Sequence, residues 1–305
     1  MRFFVLGDVS VDLIYFLDRI PEPGEEMPSR RALMKPGGAG GTLAAHLASL
    51  GHKVQLASRV GNDPFRRVAL QQLEQVGVDL KHLQTDLEQT TSSILILLVP
   101  GGERAMVSAG GASRYLDAAE FKPRLLDQTE ALVLSAYAFV GGPQRQYAIN
   151  VLDAARKREL PIFTDLGTGA VRSAGRELLD ILRGVPYLLM NQQELLDLSG
   201  KTSISEGANE LKSWGLETVI VKVGAMGSIV ITPTWQELVE PYPLEEVVDT
   251  TGAGDAFTAA FAHAIMEGKD PLTAARIGNL AGSLAATAVG AQGRLITLED
   301  LLQVK

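Results

Sequence analysis

Apolar residues along this chain fall into two kinds of run. Short stretches rich in Val, Ile, Leu and Phe, bounded by Gly, Pro, Asn or Asp, lie at 3–6, 53–60, 92–99, 131–136, 160–164, 187–190 and 218–223. Runs of that length and composition predict buried strands. Longer runs, rich in Ala and Leu or apolar at helical spacing, lie at 43–50, 64–77, 143–158, 173–183, 258–266 and 278–283. Gly51 and Gly268 stand just past the ends of two of these, and Pro64 opens another, the positions these residues favour at helix ends. From 116 onward strands and helices alternate. That order predicts an α/β fold with a doubly wound, mostly parallel central sheet flanked by helices. Ligands on such sheets bind beyond the carboxyl ends of the strands. Asp165, Asn191 and Gly224 each follow a predicted strand there.

Two segments stand outside the alternation. The strand at 92–99, the turn Pro100-Gly101-Gly102 and the returning stretch 103–108 read as a hairpin. The stretch 11–36 is mixed in pattern and broken by Pro21, Pro23 and Gly24. No repeat, linker or domain boundary interrupts 1–305.

Composition narrows the partners. The 305 residues are 46% hydrophobic and 21% charged, which suits a soluble globular α/β protein. A net charge of −8 with no basic stripe argues against nucleic acid. The chain has no cysteine, which excludes disulfides, thiol catalysis and cysteine-held metals. His46, His52, His82 and His263 show no metal-ligand spacing. There is no signal peptide and no apolar run of about 18 residues, so the expected location is cytoplasmic and away from membranes.

The chemistry gathers in one stretch, Asp249-Thr250-Thr251-Gly252-Ala253-Gly254-Asp255-Ala256-Phe257, immediately before the helix at 258–266. A helix N-terminus offers unpaired N–H groups and the positive end of the macrodipole. Gly252 and Gly254 let a ligand approach that backbone closely. The turn therefore suits phosphate, or charge developing on a phosphoryl group. Asp255, placed beside it, suits proton abstraction from a hydroxyl. The plainer alternative is that Asp255 caps the helix and the glycines make an ordinary turn.

Further glycine-rich stretches follow strands or open helices. Lys35-Pro36-Gly37-Gly38-Ala39-Gly40-Gly41-Thr42 opens the helix at 43–50; Leu43 stands where a dinucleotide fingerprint needs glycine. Gly200-Lys201-Thr202 looks like the end of a P-loop, but Leu195 occupies the place of its first glycine. Asn191-Gln192-Gln193-Glu194 suits either a capping box or an oxygen-rich Mg²⁺ site. Lys222-Val223-Gly224-Ala225-Met226-Gly227 suits either a tight turn or a phosphate loop.

Asp249–Phe257 resembles the C-terminal signature of the ribokinase-like (PfkB) carbohydrate kinases. The stretches at 7–12, 37–51, 191–194, 222–227 and 278–293 stand in the order of that family's other parts. The resemblance implies an ATP-dependent kinase acting on a sugar or similar alcohol, in one domain over 1–305. A small β-sheet lid would come from 11–36 and 91–112. It implies Asp255 as catalytic base and the backbone of Gly252, Ala253 and Gly254 as anion hole. Asp12, Gly38 and Thr42 would bind the sugar. Asn191, Lys222, Gly224, Gly227, Gly254 and Asn279 would serve the nucleotide. Asn191 and Glu194 would hold Mg²⁺ through water, and Asp249 and Thr251 a monovalent cation such as K⁺. A homodimer through the lid is expected. Thr42 departs from the family's usual asparagine. Leu166-Gly167-Thr168-Gly169 departs from the Asp-x-Asn-x-Arg run of fructokinases and ketodeoxygluconate kinases. A nucleoside kinase, or a non-catalytic sugar or nucleotide sensor, are the alternatives. Arg104, Arg114 and Lys35 read as solvated.

Overall fold

A computed structural model describes residues 1–100, 104–244 and 246–302; the expected turn at Gly101-Gly102 and the start of its return strand at Glu103 lie outside them. β1 (Arg2–Leu6) is buried along Phe3, Phe4, Val5 and Leu6, as a strand covered on both faces must be. Then come β2 (Ser10–Phe16), β3 (Arg31–Gly37), α1 (Ala39–Ser49), β4 (Lys53–Ala57), β5 (Arg59–Gly61), α2 (Pro64–Gln75) and β6 (Gln84–Asp86). The hairpin strands β7 (Ser92–Leu98) and β8 (Arg104–Ala109) follow. The alternation is β9 (Ala131–Ser135), α3 (Pro143–Arg156), β10 (Ile162–Asp165), α4 (Thr168–Ala174), α5 (Glu177–Ile181), β11 (Tyr187–Asn191), α6 (Gln192–Ser199), α7 (Ile204–Ser213) and β12 (Thr218–Lys222). A second hairpin, β13 (Ser228–Ile231) and β14 (Gln236–Val239), leads into α8 (Ala253–Met266), α9 (Pro271–Ala285) and α10 (Leu298–Leu301).

The central sheet has eight strands in the order β14-β13-β12-β11-β10-β9-β1-β4. It is parallel from β12 to β4, with β13 and β14 antiparallel at one end. A separate four-stranded sheet has the order β3-β2-β7-β8. The segment around Asp12 thus pairs with the hairpin, with Asp12 opposite Lys35 on one side and Ile94 on the other.

Two sequence expectations shift. The strand expected at 53–60 is broken at Ser58, whose carbonyl accepts the Gln84 N–H (2.9 Å); the chain leaves the main sheet there to pair β5 with β6. The helix expected at 173–183 is two short helices that begin at Thr168 and break at Gly175, where φ is 53° and a helix cannot continue.

Alternation along each strand sends neighbours to opposite faces. Phe4, Leu6, Leu132 and Leu134 enter one core layer; Phe3, Val5, Val133 and Phe163 enter the other. Phe163 stacks on Tyr187 (centroids 4.8 Å), and Phe261 of α8 meets both rings edge-on. The Phe257 ring lies against Gly278 of α9, where a Cβ would come within 2.9 Å of it. Each buried Phe contributes about 1.5–3 kcal/mol. Together these contacts fix where α8 begins, and so where Asp255 stands. No helix of the described residues is long and apolar enough to cross a membrane.

Candidate active site

The carboxyl ends of β1, β9, β10, β11 and β12 lie side by side and deliver Asp8, Tyr137, Asp165, Asn191 and Lys222. The N-terminus of α8 meets them. Its N-cap is Gly252, in the left-handed region at φ 80°; a Cβ there would sit 2.4 Å from the Ala291 carbonyl oxygen. Both features demand glycine. Asp255 occupies the third helical position and makes no capping bond, so the capping alternative does not describe it. The Ala253 N–H closes a turn onto the Thr250 carbonyl (3.3 Å).

Lys222 rises from the end of β12 beneath this turn. Its ammonium donates to both oxygens of Asp165 (2.7 and 2.9 Å) and lies 3.4 Å from the Gly254 carbonyl. Thr258, one turn along α8, donates to the same Asp165 (2.8 Å). Burial opposes the Lys222 charge, but Asp165, Glu194 and Asp255 outweigh it and its pKa lies above the ordinary value. Asp255 is half-buried. Its pKa is raised well above the usual 3.8, chiefly by desolvation; Asp165, Asp8 and Asp12 add to the rise and Lys222 opposes it.

Asp12 is 2% exposed and packs over Gly37, where a Cβ would be 2.2 Å from its carboxylate. Desolvation pushes its pKa to about 7, with help from Asp8 and Asp249 and against the Ser10 hydrogen bond. Gly38 begins α1 at φ 85°, close against the Asp8 carbonyl and the Ser10 nitrogen. Asp8 has a raised pKa through burial, moderated by bonds from backbone N–H groups including those of Gly40 and Ala39. Thr42 lies on α1 and is fully buried; its hydroxyl has no protein partner among the described residues.

Asn191 and Glu194 form a capping box on α6: the Asn191 side chain accepts the Glu194 N–H and the Glu194 carboxylate accepts the Asn191 N–H (2.9 Å each). The Asn191 amide and the Thr168 hydroxyl also donate to Glu194 (2.7 and 3.0 Å). Burial raises the Glu194 pKa and Lys222 opposes it. Asp249 joins two loops by accepting from the N–H and hydroxyl of Thr251 (2.9 and 2.7 Å) and from the Gly290 N–H (2.9 Å). Arg294 beside them is paired with Asp300 (3.0 Å) and Thr287 (3.1 Å).

A cavity of about 500 Å³ runs from this turn along α9, lined by Lys222, Gly224, Gly227, Thr250, Gly254 and Asn279 among others. Gly227 has φ 91° and lies against the Val239 carbonyl, so the β12–β13 turn admits no side chain there. Asn279 borders the cavity, but its amide donates to the Val239 and Glu240 carbonyls (3.1 and 2.8 Å) and braces that wall.

Of the sequence-predicted residues, Asp12 and Lys222 thus act electrostatically on Asp255, and Lys222, Gly224, Gly227, Gly254 and Asn279 line the cavity. Three more belong here. Asp8 follows a strand end as Asp165 does, so the strand-end rule would have found it. Tyr137 donates nothing to a sequence pattern; its ring covers Gly167 and Gly169, its hydroxyl accepts the Gly169 N–H (3.3 Å), and burial together with Asp8, Glu194 and Asp255 raises its pKa. Arg104 is exposed, as expected, and its guanidinium also donates to the Thr250 hydroxyl (2.7 Å).

Known proteins resemble this chain in sequence and fold. Residues 2–298 match the pfkB family carbohydrate kinase. Ribokinase of Bacillus subtilis (strain 168) is 30% identical over 305 residues, covering 98% of each chain. Among solved structures, adenosine kinase from Sinorhizobium meliloti superposes with a TM-score of 0.85 at 22% identity, covering 95% of this chain and 94% of that one. A fructokinase double mutant from Vibrio cholerae O395, with fructose, ADP and potassium ion bound, gives 0.81 at 25% identity over 99% and 97%. The chain belongs to the pfkB family of carbohydrate kinases.

Proposed function

We propose that this kinase transfers the γ-phosphoryl group of ATP to a hydroxyl of a neutral sugar or sugar-like alcohol, with Asp255 as general base. The observation that carries the reading is the position of Asp255. It stands at the open N-terminus of α8, whose Ala253 and Gly254 line a nucleotide-sized cavity, and within electrostatic reach of Asp8 and Asp12. A base whose pKa burial raises well above the ordinary carboxylate value has real proton affinity.

In the proposed step the substrate oxygen bonds to the γ-phosphorus while the bond from phosphorus to the β-phosphate oxygen breaks. The hydroxyl proton goes to Asp255 and ADP leaves with the electron pair of the broken bond. The backbone at Gly252, Ala253 and Gly254, with the dipole of α8, takes up developing charge. Asp12 and the Gly38 backbone hold sugar hydroxyls, and Thr42 contributes from beneath. The carboxylates on the acceptor side favour a neutral polyol over an acidic one. Gly224, Gly227 and Asn279 shape the nucleotide site, and Lys222, neighbouring Gly254, supports its phosphates.

Mg²⁺ accompanying the nucleotide supplies charge neutralisation across the phosphates. Among the described residues no three His, Asp or Glu side chains form a direct metal cage. The oxygen-only pair Asn191 and Glu194 fits a hydrated ion held through water. For a monovalent cation, the two loops tied by Asp249 and Thr251 offer main-chain carbonyls, and Arg294 beside them is already neutralised by Asp300.

The four-stranded sheet is assigned as a lid over the acceptor pocket, with Asp12 on its inner strand. Its edge strand β8 is largely exposed and β3 partly so, and unpaired strand edges invite pairing, so a homodimer through this sheet is expected. Light scattering that gives one chain's mass at working concentration rejects the dimer. The kinase reading is tested by an ADP-release screen over pentoses, hexoses, sugar acids and nucleosides, with ribose and fructose first because relatives bear the names ribokinase and fructokinase. Turnover with a neutral sugar supports it. No turnover with any of them, while ATP still binds, leaves the sensor reading standing.

A further inference from the structure

A buried polar group without a protein partner costs stability, and its retention asks for a reason. Gln292 carries two such groups. It stands in the loop between α9 and α10 and is 6% exposed, yet neither its amide oxygen nor its amide nitrogen has a protein partner among the described residues. The loop around it touches the small sheet, the turn that opens α8, and α1. Gly290 lies against β3, where a Cβ would come within 3.3 Å of the Lys35 side chain, and Lys35 is the cross-strand neighbour of Asp12. Ala291 abuts Gly252, the N-cap of α8. The Gln292 amide nitrogen itself reaches α1 and stands 3.5 Å from the place of a Cβ on Gly41. Further along, the Ile296 N–H donates to His46 Nδ1 (3.3 Å) and pins the segment to the same helix. Next to Gly41 is Thr42, fully buried, whose hydroxyl likewise has no protein partner among the described residues.

We infer that Gln292 is a specificity-determining residue of the acceptor site: its amide, beside Thr42, hydrogen-bonds hydroxyls of the bound sugar. A side-chain amide offers two donors and an oxygen acceptor on one planar group. It can therefore grip two neighbouring hydroxyls, accepting from one and donating to the other. An acceptor deoxygenated at those positions leaves the amide buried and unpaired, and a site built this way discriminates strongly against it. The inference rests on the kinase reading, which sets the sugar against Asp12, Gly38 and Thr42, and it adds a contact from the far end of the chain. Because the same loop abuts Lys35 and Gly252, Gln292 references the sugar both to the small sheet and to the turn before Asp255.

The test uses Gln292→Met in the full chain, beside wild type; Met keeps the length of the side chain and removes its polar atoms. With one or two hydrogen bonds lost, KM for the best sugar of the screen rises about 5- to 100-fold. KM for ATP stays within about twofold, and the thermal midpoint without sugar holds or rises, because a buried unpaired amide is gone. Singly deoxygenated versions of that sugar supply the positive signature. Wild type loses affinity for the analogue that lacks the gripped hydroxyl, and Gln292→Met treats that analogue and the parent sugar alike. A sugar KM within about twofold of wild type overturns the inference and leaves the amide to resident water. An equal rise in both Michaelis constants also overturns it, because the loop is then a brace for the α8 turn. Should Gln292→Met fold poorly, Gln292→Asn decides: it draws the same amide back by one methylene, and a higher KM for the sugar alone supports the contact, whereas no change refutes it. A wild type that turns over nothing in the screen defeats the kinase reading instead. The same variants are then read by the rise in thermal midpoint on adding sugar: a rise lost in Gln292→Met upholds the contact, and a rise that is kept, or absent from wild type with every sugar, overturns it.

Discussion

Asp255→Asn separates proton transfer from every structural part the carboxylate plays. Asn keeps the size and can still accept a hydrogen bond, but it takes no proton at neutral pH. Gly252 is the N-cap of α8 and no side chain caps that end. The stabilising part of Asp255 is therefore limited to its charge near the helix N-terminus, ~0.3–1 kcal/mol. Burial and the charges of Asp165, Asp8 and Asp12 work the other way, and they win: the pKa stands well above 3.8. A raised carboxyl pKa means that the folded protein holds this proton more tightly than the unfolded chain does. The stability so conferred is complete below the ordinary carboxylate value and is lost as pH rises through the folded pKa. Above that window the ionised Asp255 is a destabilising feature, and Asn removes it. At pH above that window the thermal midpoint of Asp255→Asn is expected to equal or exceed that of wild type. Turnover moves oppositely. A general base is worth about 10²–10⁴ in rate, which is ~2.7–5.5 kcal/mol of barrier. ATP affinity should hold or tighten, because a negative charge beside the phosphates is gone. The assays are coupled ADP release, thermal unfolding and ATP titration on the same preparation. A folded Asp255→Asn protein with kcat within tenfold of wild type refutes the mechanism.

Asp12→Ala should raise KM for the sugar roughly 10- to 150-fold, the loss of a charged acceptor at ~1.5–3 kcal/mol, with KM for ATP nearly unchanged; equal rises in both remove Asp12 from the sugar site. Because burial holds the Asp12 pKa at about 7, its stabilising protonated form is lost as pH climbs from the ordinary carboxylate range through about 7. Asp12→Asn should flatten the fall in thermal midpoint across that window, and an unaltered profile contradicts the assignment. Thr42→Val replaces a buried hydroxyl that has no protein partner among the described residues, so the midpoint should hold or rise by up to ~1 kcal/mol of stability while the ranking of sugars changes; an unchanged ranking makes Thr42 a packing residue. Glu194→Gln turns a carboxylate oxygen that accepts from both Asn191 and Thr168 into a donor, costing ~1–3 kcal/mol. It should also raise the Mg²⁺ concentration for half-maximal rate, and a lower midpoint with no change in Mg²⁺ dependence would falsify the water-mediated role.

What the sequence disclosed followed the range of the interactions involved. The alternation of strand and helix rests on local patterning, so the parallel sheet was legible and its strand ends pointed to Asp165, Asn191 and Gly224. The glycine turn was legible because Gly252 must adopt φ 80° and lie against Ala291, a demand few residues meet. Element edges failed where tertiary pairing outbid local pattern, as at Ser58, where β5 leaves the sheet to meet β6. Site residues failed where function depends on neighbours far along the chain. Nothing near Tyr137 announces that glycines at 167 and 169 make room for its ring. Nothing near Arg104 announces a hydroxyl 146 positions away. Such residues share a physical signature all the same. Each bridges separate elements across the cleft, Tyr137 from β9 to the start of α4 and Arg104 from the small sheet to the turn before α8. A cleft that must open for substrate and shut for chemistry needs groups that hold one wall to the other reversibly. A single hydrogen bond of ~0.5–1.5 kcal/mol is weak enough to break when a ligand offers a better partner.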